Sequence, residues 1–578
     1  MRRPGITRMG PKSQYGDYLH ALKYRQREET FRDAMMRMAT AMTSFDTRGH
    51  FENLRDILLA TRFVPAGRVQ AAMGAARRVS AFNCFVSGTI PDSFVDRGNE
   101  HSSSIMHRAE QCATTMRMGG GVGHDFSTLR PRGALIRKLQ SSSTGPVQFM
   151  HLFDAVGQAT SSAGHRRGAQ MGVLRVDHPD IIEFINVKHR EGVLEGFNLS
   201  IGVTDDFMTC VARGDKFDLT FDDEIYRTVD AQELWEMIMR STWDWGDPGV
   251  LFLDTINKMN NLWYCEKICA TNPCGEQPLP PHGACLLGSF NLPQYLSRND
   301  RGDWYLDTYQ LEEDIPHVVE AMDNVIDRTT YPLQEQQTEA QSKRRMGLGV
   351  LGLANALETM GHPYGSAEFC LIEQQILATI AREAYRASSQ LATRRGSFEL
   401  YDEEMYLQSQ FVRTLDEDTQ SLILKRGIRN SHLTSIAPTG TIAMCYDNVS
   451  GGIEPVFAER TKRPVNVGVD QQPIMIDELD YALANFGTVP RTCDQVTAAE
   501  HISVLLTAAR HVDSAVSKTC NVTSDMPWSD FKNLYQTAWE GGAKGCTTFN
   551  SGGMKMSLLK SSAACTYDPS TGTKTCEG

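Results

Sequence analysis

Apolar and charged residues mix at helical spacing through Phe31–Met42 and again from Asn53 to Thr61, until Pro65-Ala66-Gly67 breaks the pattern. The first eighty residues therefore read as mostly helical. From about residue 81 to 555, helical stretches alternate with short apolar runs, the pattern of an α/β domain. One unit is sharply punctuated. Asp230 with Glu233 resembles a capping box, and Leu234, Trp235, Ile238 and Met239 then form one face. Gly246-Asp247-Pro248-Gly249 ends that helix, and Val250-Leu251-Phe252 can be the next strand. A second long helix is predicted from about Leu371 to Arg395, with Ile372, Ile376 and Ile380 in register and Gly396 as its cap. No internal repeat is found. Ser561 to Gly578 is polar, small and aperiodic, which predicts a flexible tail. The expected organisation is a helical region over 1–80, an α/β domain over 81–555 and a tail over 556–578.

Composition narrows the class. With 41% hydrophobic and 22% charged residues the chain can bury a sizeable core, and nothing suggests disorder. A net charge of −12 and a pI near 5.7 argue against direct nucleic-acid binding or a membrane surface, both of which need a basic face. No apolar run reaches membrane-spanning length, and the basic Met1–Arg8 is not followed by the apolar core of a signal peptide, so a cytoplasmic protein is expected. The fourteen cysteines are dispersed. In a reducing compartment such cysteines are buried thiols, metal ligands or catalytic groups more often than structural disulfides.

The most informative stretch is Thr271-Asn272-Pro273-Cys274-Gly275-Glu276-Gln277-Pro278-Leu279. Asn, Cys and Glu occupy every second position, and on an extended strand they project to one face. A thiol between a hydrogen-bonding amide and a carboxylate base is a plausible catalytic constellation. The same letters also fit a turn with a buried thiol and a solvated glutamate. Cys265, Cys269 and Cys274 leave a zinc site open, although no fourth ligand or Cys-x-x-Cys accompanies them. Pro438-Thr439-Gly440-Thr441 offers hydroxyls and a glycine to a phosphate, or is simply a turn. Ser450-Gly451-Gly452 reads as a structural bend. Ser161 to Met171 joins glycines to Arg166 and Arg167 in a loop that composition alone would leave solvated. Gly119-Gly120-Gly121-Val122-Gly123 has no preceding apolar strand and no acidic residue at the expected distance, so it is not a dinucleotide loop.

Four separated motifs, in order, resemble the ribonucleotide reductase catalytic subunit: Phe82-Asn83-Cys84-Phe85-Val86, the Cys274 stretch, Gly283-Ala284-Cys285-Leu286-Leu287-Gly288-Ser289-Phe290-Asn291-Leu292, and Ser435-Ile436-Ala437-Pro438-Thr439-Gly440-Thr441-Ile442-Ala443. The wording around Cys274 is similar to the adenosylcobalamin-dependent, class II branch. The likeness runs from about Phe63 to Gly553. It implies a ten-stranded α/β barrel, with a helical N-terminal region and a flexible C-terminal tail, and with Cys274 on a loop at its centre. It further implies that Cys274, as a thiyl radical, takes the hydrogen from the ribose 3′ carbon. Glu276 would take the 3′-hydroxyl proton and Asn272 would hold the substrate. Cys84 and Cys285 would supply two electrons as they close a disulfide. Asn83 stands where some relatives have serine.

By the same resemblance Pro438, Thr439, Gly440 and Thr441 take the substrate phosphates. Asp92, Ser93 and Phe94, with the segment 130–145, form an effector pocket for deoxynucleotides. The loop bearing Arg166, Arg167 and Gln170 sets specificity. About eighty residues precede Cys84, so no N-terminal ATP-cone is expected. Cys565 and Cys576 are set wider apart than the family's tail cysteines, but from their position in a tail beyond the last barrel motif they would re-reduce the pair and exchange with a thioredoxin- or glutaredoxin-like reductant. A homodimer is left open, and no metal ligand is assigned. Relatives fed by a separate radical-generating metallo-subunit carry two adjacent tyrosines near the end of the barrel. Here that stretch is Lys544-Gly545-Cys546-Thr547-Thr548-Phe549-Asn550, and no two tyrosines are adjacent anywhere. Adenosylcobalamin is therefore the expected cofactor. Two alternatives stay open at this point: a catalytic subunit that needs such a metallo-subunit, and a non-catalytic nucleotide- or zinc-binding barrel.

Overall fold

A computed structural model describes residues 10–95, 104–160, 169–465 and 474–550, together with the backbone of 565–568 and 573–576. Arg166 and Arg167 lie outside the described residues. The organising feature is a ten-stranded sheet. Five of its strands run parallel in chain order: β1 (Cys84–Val86), β2 (Gly121–Asp125), β3 (Gln170–Arg175), β4 (Phe197–Val203) and β5 (Gly249–Phe252). A second parallel set contains β6 (Ala284–Asn291), β7 (Met346–Leu351), β8 (Thr519–Val522) and β9 (Gly545–Asn550). The extended segment 433–436 bridges β7 through Leu348↔Thr434 and the approach to β8 through Ile436↔Val516.

The two sets meet antiparallel at β1–β6 and at β5–β9, which closes the ring. With the bridged segment counted, the ring has ten members, as the sequence resemblance implied. Phe63–Pro65 pairs with the far end of β6 as an outer flap. Every residue of β6 and β7 is buried. That accounts for their unbroken apolar runs, because barrel strands are covered on both faces.

Helices fill the outside for the reasons legible in their termini. Thr30 and Asp33 form a capping box at the start of α1 (Phe31–Met42). Asp230 accepts from the backbone N–H of Gln232 and Glu233 to open α2 (Ala231–Trp245), which ends at left-handed Gly246. α3 (Ala367–Arg395) begins four residues earlier than the apolar register predicts, because Ser366 accepts from the N–H of Phe369 and caps it there. The N-terminal helices share one hydrophobic cluster with the barrel, which includes Met38 and Leu58 as well as Phe82, Cys84 and Cys285. Among the described residues no helix is long and apolar enough to cross a membrane. In the C-terminal region the backbone of Cys565–Asp568 pairs antiparallel with that of Thr573–Cys576.

The Cys274 stretch enters this ring as a hairpin, which corrects the extended-strand reading. Ala270 pairs with Leu279 and Thr271 with Pro278, so residues 272–277 form the connecting loop. Asn272 N–H donates to the Gln277 carbonyl at 3.1 Å, and Gly275 N–H donates to the Asn272 carbonyl at 3.0 Å. Gly275 turns the chain at φ +82, a conformation that costs glycine little. Alternation along a strand therefore does not apply here.

The glycines of the 119–123 run explain how the hairpin fits. A Cβ on Gly123 would lie 1.8 Å from the Thr271 carbonyl oxygen, and one on Gly121 would lie 3.0 Å from Pro273. β2 is thus stripped of side chains where the loop crosses it.

Candidate active site

Cys274 is exposed at the tip of the hairpin, whereas Asn272 and Glu276 at its base are 1% and 2% exposed. Beneath them, Cys84 of β1 and Cys285 of β6 are direct antiparallel partners. Side chains of such partners project to the same face about 4.5–5.5 Å apart at Cβ. Both are free thiols in this structure and both are buried. The Asn272 amide donates to the Cys84 sulfur at 3.2 Å, and Cys84 donates to Glu276 Oε1 at 3.5 Å. Asn272 Oδ1 accepts from Gln277 N–H at 2.9 Å, which turns its NH2 group toward the cysteine. Burial pushes the Cys84 thiol well up, and Glu276, Cys274 and Cys285 add to that. The five residues singled out around Cys274 therefore converge on one locus.

The loop is tied to both halves of the barrel. Asn198 on β4 donates to the Pro273 carbonyl at 2.7 Å. On the opposite side the Glu276 carbonyl accepts from Ala515 N–H and from Ser435 Oγ, each at 3.0 Å. Neither Asn198 nor the bond made by Ser435 was legible in the sequence, because each acts across more than seventy residues on a backbone atom.

Thr439 is buried in a left-handed conformation (φ +54), and its hydroxyl accepts from Gly452 N–H at 2.8 Å. Gly451 approaches Pro438 so closely that a Cβ would lie 2.8 Å from its carbonyl oxygen. The Ser450-Gly451-Gly452 bend thus buttresses the Pro438–Thr441 loop. Gly440 is exposed with nothing within 4 Å of where a side chain would begin, so that loop offers bare backbone to a ligand.

The remaining candidates fall into two places. Asp92 pairs with Arg130 at 2.5 Å, and Phe94 is exposed beside Phe149 with ring centroids 6.1 Å apart. Ser93 fastens this segment to the following helix by accepting from Ile105 N–H at 2.9 Å. Gln170 lies elsewhere. It is fully buried, donating to the Phe153 carbonyl at 2.9 Å, with its oxygen 3.2 Å from His124 Nε2, so here it faces the interior. Among the described residues no group of three or more His, Cys, Asp or Glu is arranged to hold a metal ion.

Comparison with known proteins agrees with this geometry. Residues 83–549 match the family described as the ribonucleotide reductase barrel domain. The chain is 36% identical over 504 residues to a vitamin B12-dependent ribonucleoside-diphosphate reductase of Mycobacterium tuberculosis, covering 82% of this chain and 70% of that protein. It is 32% identical over 575 residues to the protein of the same description in Thermoplasma acidophilum, covering 94% and 70% respectively. A putative ribonucleoside-diphosphate reductase large subunit of frog virus 3 is 29% identical over 445 residues, covering 73% and 69%.

Proposed function

The chain belongs to the ribonucleotide reductase family, and from that premise we propose that it reduces ribonucleoside diphosphates with adenosylcobalamin as its radical source. The observation that carries this reading is the stacking of an exposed Cys274 over the register-matched pair Cys84 and Cys285, with Glu276 and Asn272 between. Cys274 abstracts the 3′ hydrogen. Glu276 accepts the 3′-hydroxyl proton, and the Asn272 amide orients the ribose. Cys84 and Cys285 then give up two electrons and two protons, the 2′-hydroxyl leaves as water, and a disulfide forms between them. The Pro438–Thr441 loop holds the diphosphate through backbone amides. Deoxynucleotide effectors bind over Asp92, Ser93 and Phe94, and the loop with Arg166 and Arg167 carries their influence to the substrate base.

The site fits a bulky cofactor at its open side, since Cys274 is exposed and the Cβ position of Gly275 has nothing within 4 Å. When bound, adenosylcobalamin would supply the radical chemistry that activates the Cys274 thiol. The chain's own part is to hold that thiol at the crest of a loop anchored by Asn198, Ser435 and Ala515. The test of the residue roles is a single turnover without reductant, followed by peptide mapping. Cys84 and Cys285 are expected as one disulfide, and recovery of both as free thiols beside deoxynucleotide product would refute the pairing.

The tail completes the cycle. Cys565 and Cys576 are direct partners in the C-terminal hairpin. Opposed antiparallel residues lie about 4.5–5.5 Å apart at Cα, within the roughly 4.4–6.8 Å that a disulfide spans. This register offsets their wide spacing in sequence and supports a dithiol that regenerates the buried pair and is itself reduced by a thioredoxin- or glutaredoxin-like protein. In the cytoplasm such reductants are at hand. The double variant Cys565→Ser/Cys576→Ser should stop after about one turnover with a protein reductant, yet keep cycling with a small dithiol. Undiminished multiple turnover with the protein reductant would exclude the tail as the shuttle.

A further inference from the structure

Cys285 has a neighbour on each side. β1 puts Cys84 opposite it. On the other edge, β6 and β7 are parallel and their register begins at Leu286 beside Met346, the residues that directly follow Cys285 and Arg345. Arg345 is 2% exposed and is held by the carboxylates of Glu339 and Glu266, which Lys343 also bridges at 3.0 and 2.9 Å. Glu339 in turn accepts from the backbone N–H of Ala284 at 3.4 Å, which ties the cluster to the chain next to Cys285. Two cations and two anions in mutual contact keep the cluster buried without net charge. Arg345 is the member that leads directly into β7, as Cys285 leads into Leu286 of β6.

The two sulfurs of the reducing pair therefore stand in different fields. Cys84 donates to Glu276, and burial, Glu276 and the neighbouring thiols all push its thiol up. Burial also pushes Cys285 up, as do Asp513, Glu276 and Glu339, but Arg345 pulls against them and is the strongest charge acting on it. In thiol–disulfide exchange the attacked sulfur forms the new bond, and the other leaves with the electron pair. The better-stabilised thiolate is the better leaving group.

We propose that Arg345 makes Cys285 the leaving sulfur when the disulfide is re-reduced, so that the incoming thiolate attacks Cys84. The inference rests on Cys84 and Cys285 being the redox pair. The incoming thiolate bonds to Cys84, the Cys84–Cys285 bond breaks, and Cys285 departs as a thiolate beside Arg345. A second thiolate of the dithiol reductant then attacks the mixed disulfide at its own partner sulfur. Cys84 is released and takes a proton from solvent or from a protonated Glu276. One disulfide has been exchanged for another, and once Cys285 is also protonated the two protons the dithiol lost on ionising are balanced by the two taken up by Cys84 and Cys285. Arg345 touches no substrate; it is a positioning residue acting through Cys285.

The experiment reads the direction of attack. Wild-type enzyme is oxidised by one turnover, and Arg345→Gln and Arg345→Lys by diamide. Each is exposed briefly to excess cysteamine, quenched in acid, alkylated and peptide-mapped. The cysteamine adduct should favour Cys84 over Cys285 by at least about tenfold in the wild type, and the ratio should fall toward unity in Arg345→Gln. Arg345→Lys keeps a cation but loses the planar fork of donors, so its ratio should lie between the two, which guards against a glutamine variant that does not fold. An adduct on Cys285 in the wild type overturns the proposal. So does a Cys84 preference unchanged in both variants, since access alone would then decide. Absence of the Cys84–Cys285 disulfide after turnover is a different failure, that of the redox-pair reading itself.

Discussion

Replacing Cys274 with serine is expected to abolish deoxynucleotide formation while nucleotide binding and thermal stability stay close to wild type. The residue is exposed at the crest of the hairpin, so the substitution removes no buried packing. Its backbone is set by the Ala270–Thr271 and Pro278–Leu279 pairing and by the bonds to Asn198, Ser435 and Ala515, none of which uses the thiol. What is lost is the sulfur proposed to carry the radical, and serine does not replace it because a hydroxyl holds its hydrogen far more strongly than a thiol does. Turnover and equilibrium nucleotide binding, measured on the same preparation, separate the two effects. Retention of even about a tenth of wild-type turnover, a barrier change of only about 1.4 kcal/mol, would remove Cys274 from the radical role.

Glu276→Gln should be the next most damaging change. Glutamine keeps the shape of a side chain that is 2% exposed and can still accept from Cys84, so the packing of the site survives. It cannot accept the 3′-hydroxyl proton. Loss of a positioned general base typically costs about 10²–10⁴ in rate, and the deficit should fall on kcat, with KM little changed. A variant in which KM rises and kcat is preserved would show that Glu276 binds substrate and leaves the proton to another group.

Several elements could be read directly because their signals are local. The helix Ala231–Trp245 is announced by Asp230 and closed by Gly246, and both act within a turn of where they stand. Ser366 is a signal of the same kind. It lies before the apolar register that marks the rest of its helix, so the predicted start came late. The convergence of Cys84, Cys274 and Cys285 followed from motif resemblance and not from spacing, since the pairing that unites them spans some two hundred residues. Period-two alternation of Asn272, Cys274 and Glu276 suggested a strand. It carries no information about the cross-pairing of 270–271 with 278–279 that folds those residues into a loop. The glycines at 121 and 123 belong to a run whose flanks rule out a dinucleotide loop, and what they provide is clearance for a backbone far along the chain. Arg345 had no signal at all: it is one of two adjacent arginines, and only the parallel register of β6 and β7, which begins at the residues directly after Cys285 and Arg345, relates the two.

The central claim is that this chain reduces ribonucleotides through a thiyl radical generated by adenosylcobalamin. Its most direct measurement is deoxynucleotide formation from ribonucleoside diphosphates by the purified chain with a dithiol, with and without adenosylcobalamin and with no second protein added. The account predicts multiple turnover only when the cofactor is present. Silence with adenosylcobalamin, together with activity when a metal-containing partner subunit is supplied, would contradict it.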